Sequence, residues 1–375
     1  MSSGPLPSRI DAVIVGGGPG GLAASHELRK RAIDHIVLER GDQPAHVWAN
    51  LYDSLVLHTG RHLSGMPGRR IPRDVPLFPP RLAFVRYLHD YARDFSLPVR
   101  TSVDVTRVSR EGDGWILATS AGDVRARAVV IATGIVSGPR VPDFPGRQEF
   151  RGQVLHSSSY HRPGDLHGKR VLVVGVGNSG GEIASELSRS GYAVEIAVRS
   201  GVNIVPRDIA GIPIQYCAFV LRKLPRSVQE RVAVAVRKLG ERRRGPSPLP
   251  PSTAGPLDSI PLIGFHLVDE VRAGRVRVRP GLDAFTPRGV RFTDGAEGEY
   301  DSVILATGFR PALGPLGDLV RRDAKGFAIR DDRVTSADQP RLWFVGHNYD
   351  ITGGLANIAH DAPLVGNAVQ KALTG

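Results

Sequence analysis

Two stretches decide the reading of this chain: IDAVIVGGGPGG at residues 10–21 and VLVVGVGNSGG at residues 171–181. Each carries a short apolar segment into a glycine turn and then into a helical pattern, marked by Leu22, Ala23, Leu28 and Ile33 in the first copy and by Ile183, Ala184 and Leu187 in the second. Strand, glycine turn and helix follow from that change of hydrophobic period. The unit recurs 159 positions on, from Gly16 to Gly175. After each copy come short alternating segments (Val103 to Val108 and Trp115 to Thr119; Val276 to Val278 and Val290 to Thr293). An apolar strand then ends in ATG, VVIATG closing at Gly134 and VILATG at Gly308. The pattern predicts an α/β fold of two Rossmann-like dinucleotide-binding domains, each three-layered, with a parallel sheet and an antiparallel meander.

In the first turn Gly16 allows the tight bend, Gly18 lets backbone approach a pyrophosphate, and Gly21, beside Gly20, allows close packing of helix on strand. Phosphates then meet the free N–H groups and positive dipole end of the helix. Glu39 follows 23 residues after Gly16, at the end of the strand His35 to Glu39. An acid there accepts hydrogen bonds from ribose hydroxyls and repels a 2'-phosphate, which suits the adenosine of FAD or NAD. The second turn supplies Gly175, Gly177 and Gly180 with Asn178 and Ser179. Its next strand, Val194 to Val198, runs into Arg199 and Ser200. A cation and a hydroxyl suit a 2'-phosphate, so NADPH is expected here. Arg40 beside Glu39, and the ATG residues Thr133, Gly134, Ala306, Thr307 and Gly308, complete the cofactor candidates. Because the second unit sits between the first and the C-terminal tail, residues 1–160 and 305–375 are expected to form an FAD-binding domain into which an NADPH-binding domain, 161–304, is inserted.

A competing pattern shares the second turn. Gly177-Asn178-Ser179-Gly180-Gly181 also satisfies GxSxG, the nucleophile elbow of α/β hydrolases. That reading makes Ser179 a nucleophile and leaves the first turn, Glu39 and both ATG strands unexplained.

Composition bounds the rest. At 375 residues with 41% hydrophobic and 23% charged, the chain suits two globular domains. The formal charge of +12 is carried mostly by arginines spread along the whole length, which reads as compositional habit and not as a nucleic-acid surface. Arg242 to Arg244 open a Pro-rich stretch ending near Pro256, expected to be a solvated loop. Residues 217 to 239 are basic and partly amphipathic; a helix packed on its own domain is expected over one lying on a membrane surface. The single cysteine, Cys217, excludes an internal disulfide, a CxxC pair and a thiolate zinc site, and is expected to be buried. No His and carboxylate pattern suggests a metal. No signal-like segment opens MSSGPLPSRI, and no membrane-span pattern occurs, so a cytoplasmic protein without stable membrane insertion is expected, with a homodimer left open.

With both turns and both ATG strands set out, the chain resembles the flavin-containing monooxygenases, of the compact type similar to the plant YUCCA enzymes, over nearly its full length. FRGQVLHSSSY matches the family pattern FxGxxxHxxxY through Phe150, Gly152, His156 and Tyr160; related Baeyer–Villiger enzymes usually carry Trp at the place of Tyr160. VRSGVNIVPR, Val198 to Arg207, resembles the family's NADPH-phosphate region and adds Arg207. LATGFRP, Leu305 to Pro311, resembles its second ATG motif. In LYDSLVLHT, residues 51–59, His58 falls where amine oxygenases usually place Asn, closer to the YUCCA pattern. Trp48 resembles an aromatic beside the flavin, and Gly353 and Gly354 open a helix whose N–H groups would face the flavin's pyrimidine edge.

The resemblance implies an enzyme in which NADPH reduces FAD, the reduced flavin captures dioxygen at C4a, and the hydroperoxide gives one oxygen to a small organic substrate: a heteroatom compound, a 2-oxo acid or a ketone. The flavin carries the oxidation while the protein supplies position and exclusion of water. His58 is the only protein group nominated for a catalytic role. A flavin-dependent NADPH oxidase without oxygen insertion, and a nicotinamide-sensing binding protein, share the dinucleotide motifs.

Overall fold

The computed structural model describes residues 4–209, 211–255, 257, 261–350 and 352–375; Pro256, where the Pro-rich stretch was expected to end, lies outside them. The chain divides into two compact units. One comprises residues 1–50, 59–138 and 309–375, the other residues 51–58 and 139–308.

The first unit is built on strands β1 (Arg9–Val15), β2 (His35–Leu38), β3 (Val99–Arg100), β4 (Val105–Glu111), β5 (Gly114–Thr119) and β6 (Val124–Ile131). They line up in the order β3-β2-β1-β6-β5-β4, with the strand Leu342–Phe344 added in parallel to the end of β6. β1, β2, β3 and β6 pair in parallel, while β4, β5 and β6 form the antiparallel meander. Ala12, Val13 and Ile14 are wholly buried: helix covers one face of the sheet, and on the other Val13 packs with Val105, Val108, Leu117, Leu313 and Leu316, so this central strand keeps no polar side. Helix α1 (Pro19–Lys30) lies on one face and is packed by the C-terminal helix Gly354–Thr374. Arg31, just past α1, bonds both Glu27 and Asn367, tying the two helices together.

The second unit repeats the plan. Its sheet comprises β7 (Gln153–His156), β8 (Arg170–Val174), β9 (Ala193–Ala197), β10 (Val276–Arg279) and, after a separate meander, β14 (Ser302–Leu305). The order is β10-β9-β8-β14-β7, and every pair is parallel. The meander is its own three-stranded sheet of β11 (Leu282–Thr286), β12 (Gly289–Phe292) and β13 (Glu297–Glu299). Val276 to Val278, expected in that meander, instead forms the edge of the parallel sheet. Its alternating pattern is what a sheet edge with one covered face requires, so period alone does not distinguish the two positions.

The division also differs from the expected 160/161 and 304/305 boundaries. Residues 139–160 belong with the second unit because β7 joins the edge of its sheet, Val154 pairing Val303 and His156 pairing Leu305. Residues 51–58 join it too, through Tyr52, which is buried in the core around Val171, Ile183 and Ile304.

Three other expectations are corrected in the same unit. Arg242 to Arg244 do not open a loop. They end helix α6 (Arg226–Arg244), where cations meet the negative end of the helix dipole. Cys217 is exposed, not buried, on helix α5 (Ile214–Leu221). The 217–239 stretch is split by the turn before Pro225 into α5 and α6, and none of the described side chains of α6 is buried. Among the described residues no helix is long and apolar enough to cross a membrane, and no cluster of His, Cys, Asp and Glu could hold a metal ion.

Candidate functional site

The two glycine turns are the same object built twice. Gly16 and Gly175 both take left-handed φ values, 106° and 109°, and an added Cβ at either would lie 2.5 Å from the carbonyl oxygen of Ala132 or Ala306, the first residue of each ATG. A side chain at Gly21 would meet the Gly16 carbonyl at 1.8 Å, and one at Gly180 the Gly175 carbonyl at 2.0 Å. Gly18 and Gly177 differ in kind. A Cβ at either meets nothing within 4 Å, and each caps a helix, α1 and α4 (Asn178–Arg189), with no side-chain capping bond. The first-turn N–H groups of both helices therefore point into open space, the arrangement an anion fills. Four of these six glycines are required by the fold; Gly18 and Gly177 are not.

The strand ends separate the turns. Glu39 is buried, its Oε2 accepting from Gly17 N at 2.6 Å and its Oε1 from Gly41 N at 2.8 Å. Each carboxylate oxygen keeps a lone pair for a ribose hydroxyl. At the matching end of β9 stand Arg199 and Ser200, both exposed, with Arg199 packed along Gly281 and Arg207 exposed further on.

The ATG ends behave differently as well. The hydroxyl of Thr133 is buried without a hydrogen-bond partner, beside the Gly16 turn, whereas Thr307 Oγ1 donates to the Arg140 carbonyl at 2.5 Å. An orphaned hydroxyl next to an uncapped helix suits a polar ligand, and the residues present fit a dinucleotide there. Trp48 is half-buried on the short helix α2 (His46–Ala49), edge-on to Phe84 of α3 (Arg81–Asp94) at 4.8 Å, and Arg40 is exposed. Gly353, at φ 91°, caps the C-terminal helix that begins at Gly354, as the sequence suggested; a side chain there would meet Thr59 at 2.9 Å.

His58 does not stand alone. Its Nε2 lies 2.5 Å from Oε1 of Glu182, whose other oxygen accepts from the Tyr52 hydroxyl. Glu182 sits on α4 one turn past Gly177. Burial opposes its charge, yet the bonds from His58 and Tyr52 outweigh burial and hold its carboxyl below the usual range. Burial and the Glu182 charge push the Tyr52 hydroxyl well above its usual range, so Tyr52 stays a neutral donor. His266, at the start of α7 (His266–Arg272), faces the same carboxylate, and burial lowers its pKa. Sequence reasoning found His58 and missed Tyr52 and Glu182. The available signal was an acid between Gly181 and Ile183, on a turn otherwise made of small and apolar residues.

The FxGxxxHxxxY residues are spread through the second unit. Phe150 packs on Phe285 with ring centres 5.4 Å apart, and a side chain at Gly152 would strike the Phe150 ring. His156 Nε2 lies 3.1 Å from the Gly308 carbonyl oxygen, linking β7 to the second ATG, and burial lowers its pKa. Tyr160 is wholly buried and donates to Glu186 Oε2 at 2.8 Å. The Ser179 side chain bonds Tyr52, and among the described residues no histidine bonds it, so the nucleophile elbow lacks its base.

A duplicated dinucleotide fold of this kind defines a pyridine-nucleotide flavoprotein. Residues 13–208 match the family model described as pyridine nucleotide-disulphide oxidoreductase. The chain is 36% identical over 327 residues to indole-3-pyruvate monooxygenase YUCCA1 of Oryza sativa subsp. japonica, which covers 83% of this chain and 80% of the rice protein. It is 30% identical over 369 residues to the probable indole-3-pyruvate monooxygenase YUCCA1 of Arabidopsis thaliana, covering 93% and 87%. Among solved structures, a flavin-containing monooxygenase from Stenotrophomonas maltophilia superposes with a TM-score of 0.75 at 27% identity, covering 97% and 99%. Cyclohexanone monooxygenase from Rhodococcus sp. Phi1, at 21% identity and a TM-score of 0.73 over 98% and 85%, shares the fold. The chain belongs to the flavin-containing monooxygenase family. It is a flavin-dependent monooxygenase that uses FAD and NADPH, which removes the hydrolase reading of Ser179.

Proposed function

We propose that the first turn holds FAD, the second holds NADPH, and the substrate is a 2-oxo acid of the aryl-pyruvate class. The observation carrying the cofactor assignment is the contrast at the two strand ends: a buried carboxylate, Glu39, after β2 and an exposed guanidinium, Arg199, after β9. The first accepts ribose hydroxyls and repels a 2'-phosphate; the second attracts one. The substrate class rests on the curated relatives, which are named for indole-3-pyruvate.

Bound FAD supplies hydride acceptance and dioxygen activation; the chain's own residues bind, orient and exclude water. The N–H groups of the α1 first turn cradle the FAD pyrophosphate, and Thr133 donates its unpartnered hydroxyl to the same ligand. The α4 first turn takes the pyrophosphate of NADPH, with Arg199, Ser200 and Arg207 around the 2'-phosphate. His58, held by Glu182, presents a fixed ring orientation instead of an amide at the place where amine oxygenases carry Asn.

The test is NADPH consumption and peroxide release with indole-3-pyruvate, phenylpyruvate, an amine, a sulfide and a cyclic ketone, with product identification. Coupled oxygen insertion into an aryl-pyruvate, with loss of its carboxyl group, is the expected result. Coupling only to the amine or sulfide overturns the substrate assignment, and peroxide release with every compound overturns oxygen insertion itself.

A further inference from the structure

The exposed apolar side chains of this protein are not evenly spread. Of the nine large hydrophobic residues that stand exposed among the described residues, five fall between 209 and 224: Ile209, Ile212, Tyr216, Val220 and Leu224. Tyr216 and Val220 stand four apart and so share a face of α5, while Ile209 and Ile212 pair across the two short antiparallel strands just before it and Leu224 lies in the turn just after. Val220 is 66% exposed and Ile212 59% exposed, the highest values in that set. The opposite side of α5 is anchored, Gln215 and Ala218 being buried and Gln215 Nε2 donating to the His58 carbonyl at 2.8 Å. The helix is thus docked by one side, and on the other Tyr216 and Val220 stand exposed among the described residues. Isolated exposed apolar residues need no explanation, but five gathered within one short segment, two of them on one face of α5, mark a contact surface.

Charge identifies what the surface contacts. Residues 222–244 carry nine Lys and Arg against two acids, so this stretch holds seven of the chain's twelve surplus positive charges. Arg222, Lys223 and Arg226 directly follow the apolar face, and all three are exposed. A second copy docking face to face would set two such basic helices against each other, and an ordinary neutral partner would gain nothing from them. An apolar helical face edged by basic side chains matches an anionic bilayer surface, whose headgroups attract the cations while the acyl boundary takes the apolar side chains.

We propose that α5 and the start of α6 form a peripheral docking surface for anionic lipid membranes. Ile212, Tyr216, Val220 and Leu224 enter the acyl boundary, and Arg222, Lys223 and Arg226 lie at headgroup level. The attachment is reversible and needs no spanning segment. It is independent of which substrate the enzyme oxidises.

The experiment uses the full-length, FAD-loaded protein, sedimented with vesicles of phosphatidylcholine alone or mixed with phosphatidylglycerol. Binding to the mixed vesicles at low salt is expected, little binding to the neutral ones, and a fall in binding as salt screens the basic residues. The double variant Ile212→Asp, Val220→Asp should bind about a hundredfold more weakly, roughly tenfold for each apolar side chain withdrawn from the bilayer. Its flavin content and NADPH oxidation should match the parent. Cys217 is the chain's only cysteine and is exposed on α5, so an environment-sensitive fluorophore attached there should report an apolar surrounding when anionic vesicles are added. Failure of the parent protein to sediment with anionic vesicles at low salt, or equal binding by the double variant, overturns the proposal. So does a lipid-free dimer that the same two substitutions dissociate, which would assign the face to a second copy.

Discussion

His58 and Glu182, 124 residues apart in sequence, meet at 2.5 Å between Nε2 and Oε1, and the Tyr52 hydroxyl closes the other side of the carboxylate. An ionised carboxylate only accepts hydrogen bonds, so Nε2 carries the proton and the ring's tautomer and orientation are set from α4. His58, the side chain the sequence suggests for a catalytic role, is therefore positioned by the helix that follows the second glycine turn.

Glu182→Gln removes a partly buried charge with two donors aimed at it. A buried polar group left without its partner costs about 1–3 kcal/mol, so urea unfolding should show a loss of that size. Since the folded carboxyl titrates below its ordinary range, the bond network adds stability above that range and loses it as pH falls through the lowered value. The parent should therefore lose more stability than Glu182→Gln on acidification below about pH 4.5, the ordinary Glu range. Parallel pH profiles for the two proteins would show that Glu182 does not act as a charge. His58→Asn should keep FAD bound and change peroxide leakage or product ratio; an unaltered profile would return His58 to a purely structural place.

Gly18→Val separates fold from ligand. The backbone at Gly18 has φ −76° and ψ −172°, which valine adopts readily, and the Cβ position is open. The apoprotein should unfold within about 0.5 kcal/mol of the parent while FAD affinity drops at least about tenfold, because the side chain occupies the pyrophosphate's place. Gly16→Val is the contrasting control: its Cβ would sit 2.5 Å from a carbonyl oxygen at φ 106°, so expression of folded protein should fail. Unchanged flavin content in Gly18→Val would place the pyrophosphate elsewhere.

Coenzyme choice depends on Arg199. A hydrogen bond to a charged group contributes about 1.5–3 kcal/mol, so Arg199→Ala should raise the KM for NADPH roughly tenfold to a hundredfold and leave NADH use nearly unchanged. Arg207 lies close along the same segment, and the effect of removing both need not be the sum of the single effects. Steady-state kinetics of the single and double variants decide the matter; an unaltered NADPH preference in the double variant would move the phosphate site away from β9.

Acid stability has a separate source in the second unit. Glu270, almost wholly buried on α7, accepts from Arg275 at 2.6 Å, Arg189 at 2.8 Å and Ser188 at 2.9 Å, and these donors hold its carboxyl down to about 2. A depressed carboxyl adds stability above its unfolded range and loses it as pH falls toward the folded value, here between about pH 4.5 and 2. Both arginines are half exposed, so solvent screening limits the gain to about 1–2 kcal/mol. Chemical denaturation of the parent and Glu270→Gln at neutral pH and near pH 3 should show a gap that narrows in acid.

What the sequence determined by itself was everything written in contacts a few residues long. A Cβ at Gly21 would strike the Gly16 carbonyl only five residues before it, so the turn, its helix and its duplicate at Gly175 and Gly180 were legible without any tertiary knowledge. The contrast of Glu39 with Arg199 was equally local, within two residues of a strand end in each copy. Tertiary structure alone decided the pairings with no local signature. An edge strand accepts whichever neighbour reaches it, so β7 passed to the second sheet and moved the boundary to 139. The segment 51–58 followed because Tyr52, itself buried, found a partly buried carboxylate on α4. Neither choice leaves a period or a spacing in the chain, since burial and long-range hydrogen bonds depend on where two distant segments arrive. Cys217 shows the same limit: its apolar helix was readable, but which side of that helix the protein covers was not.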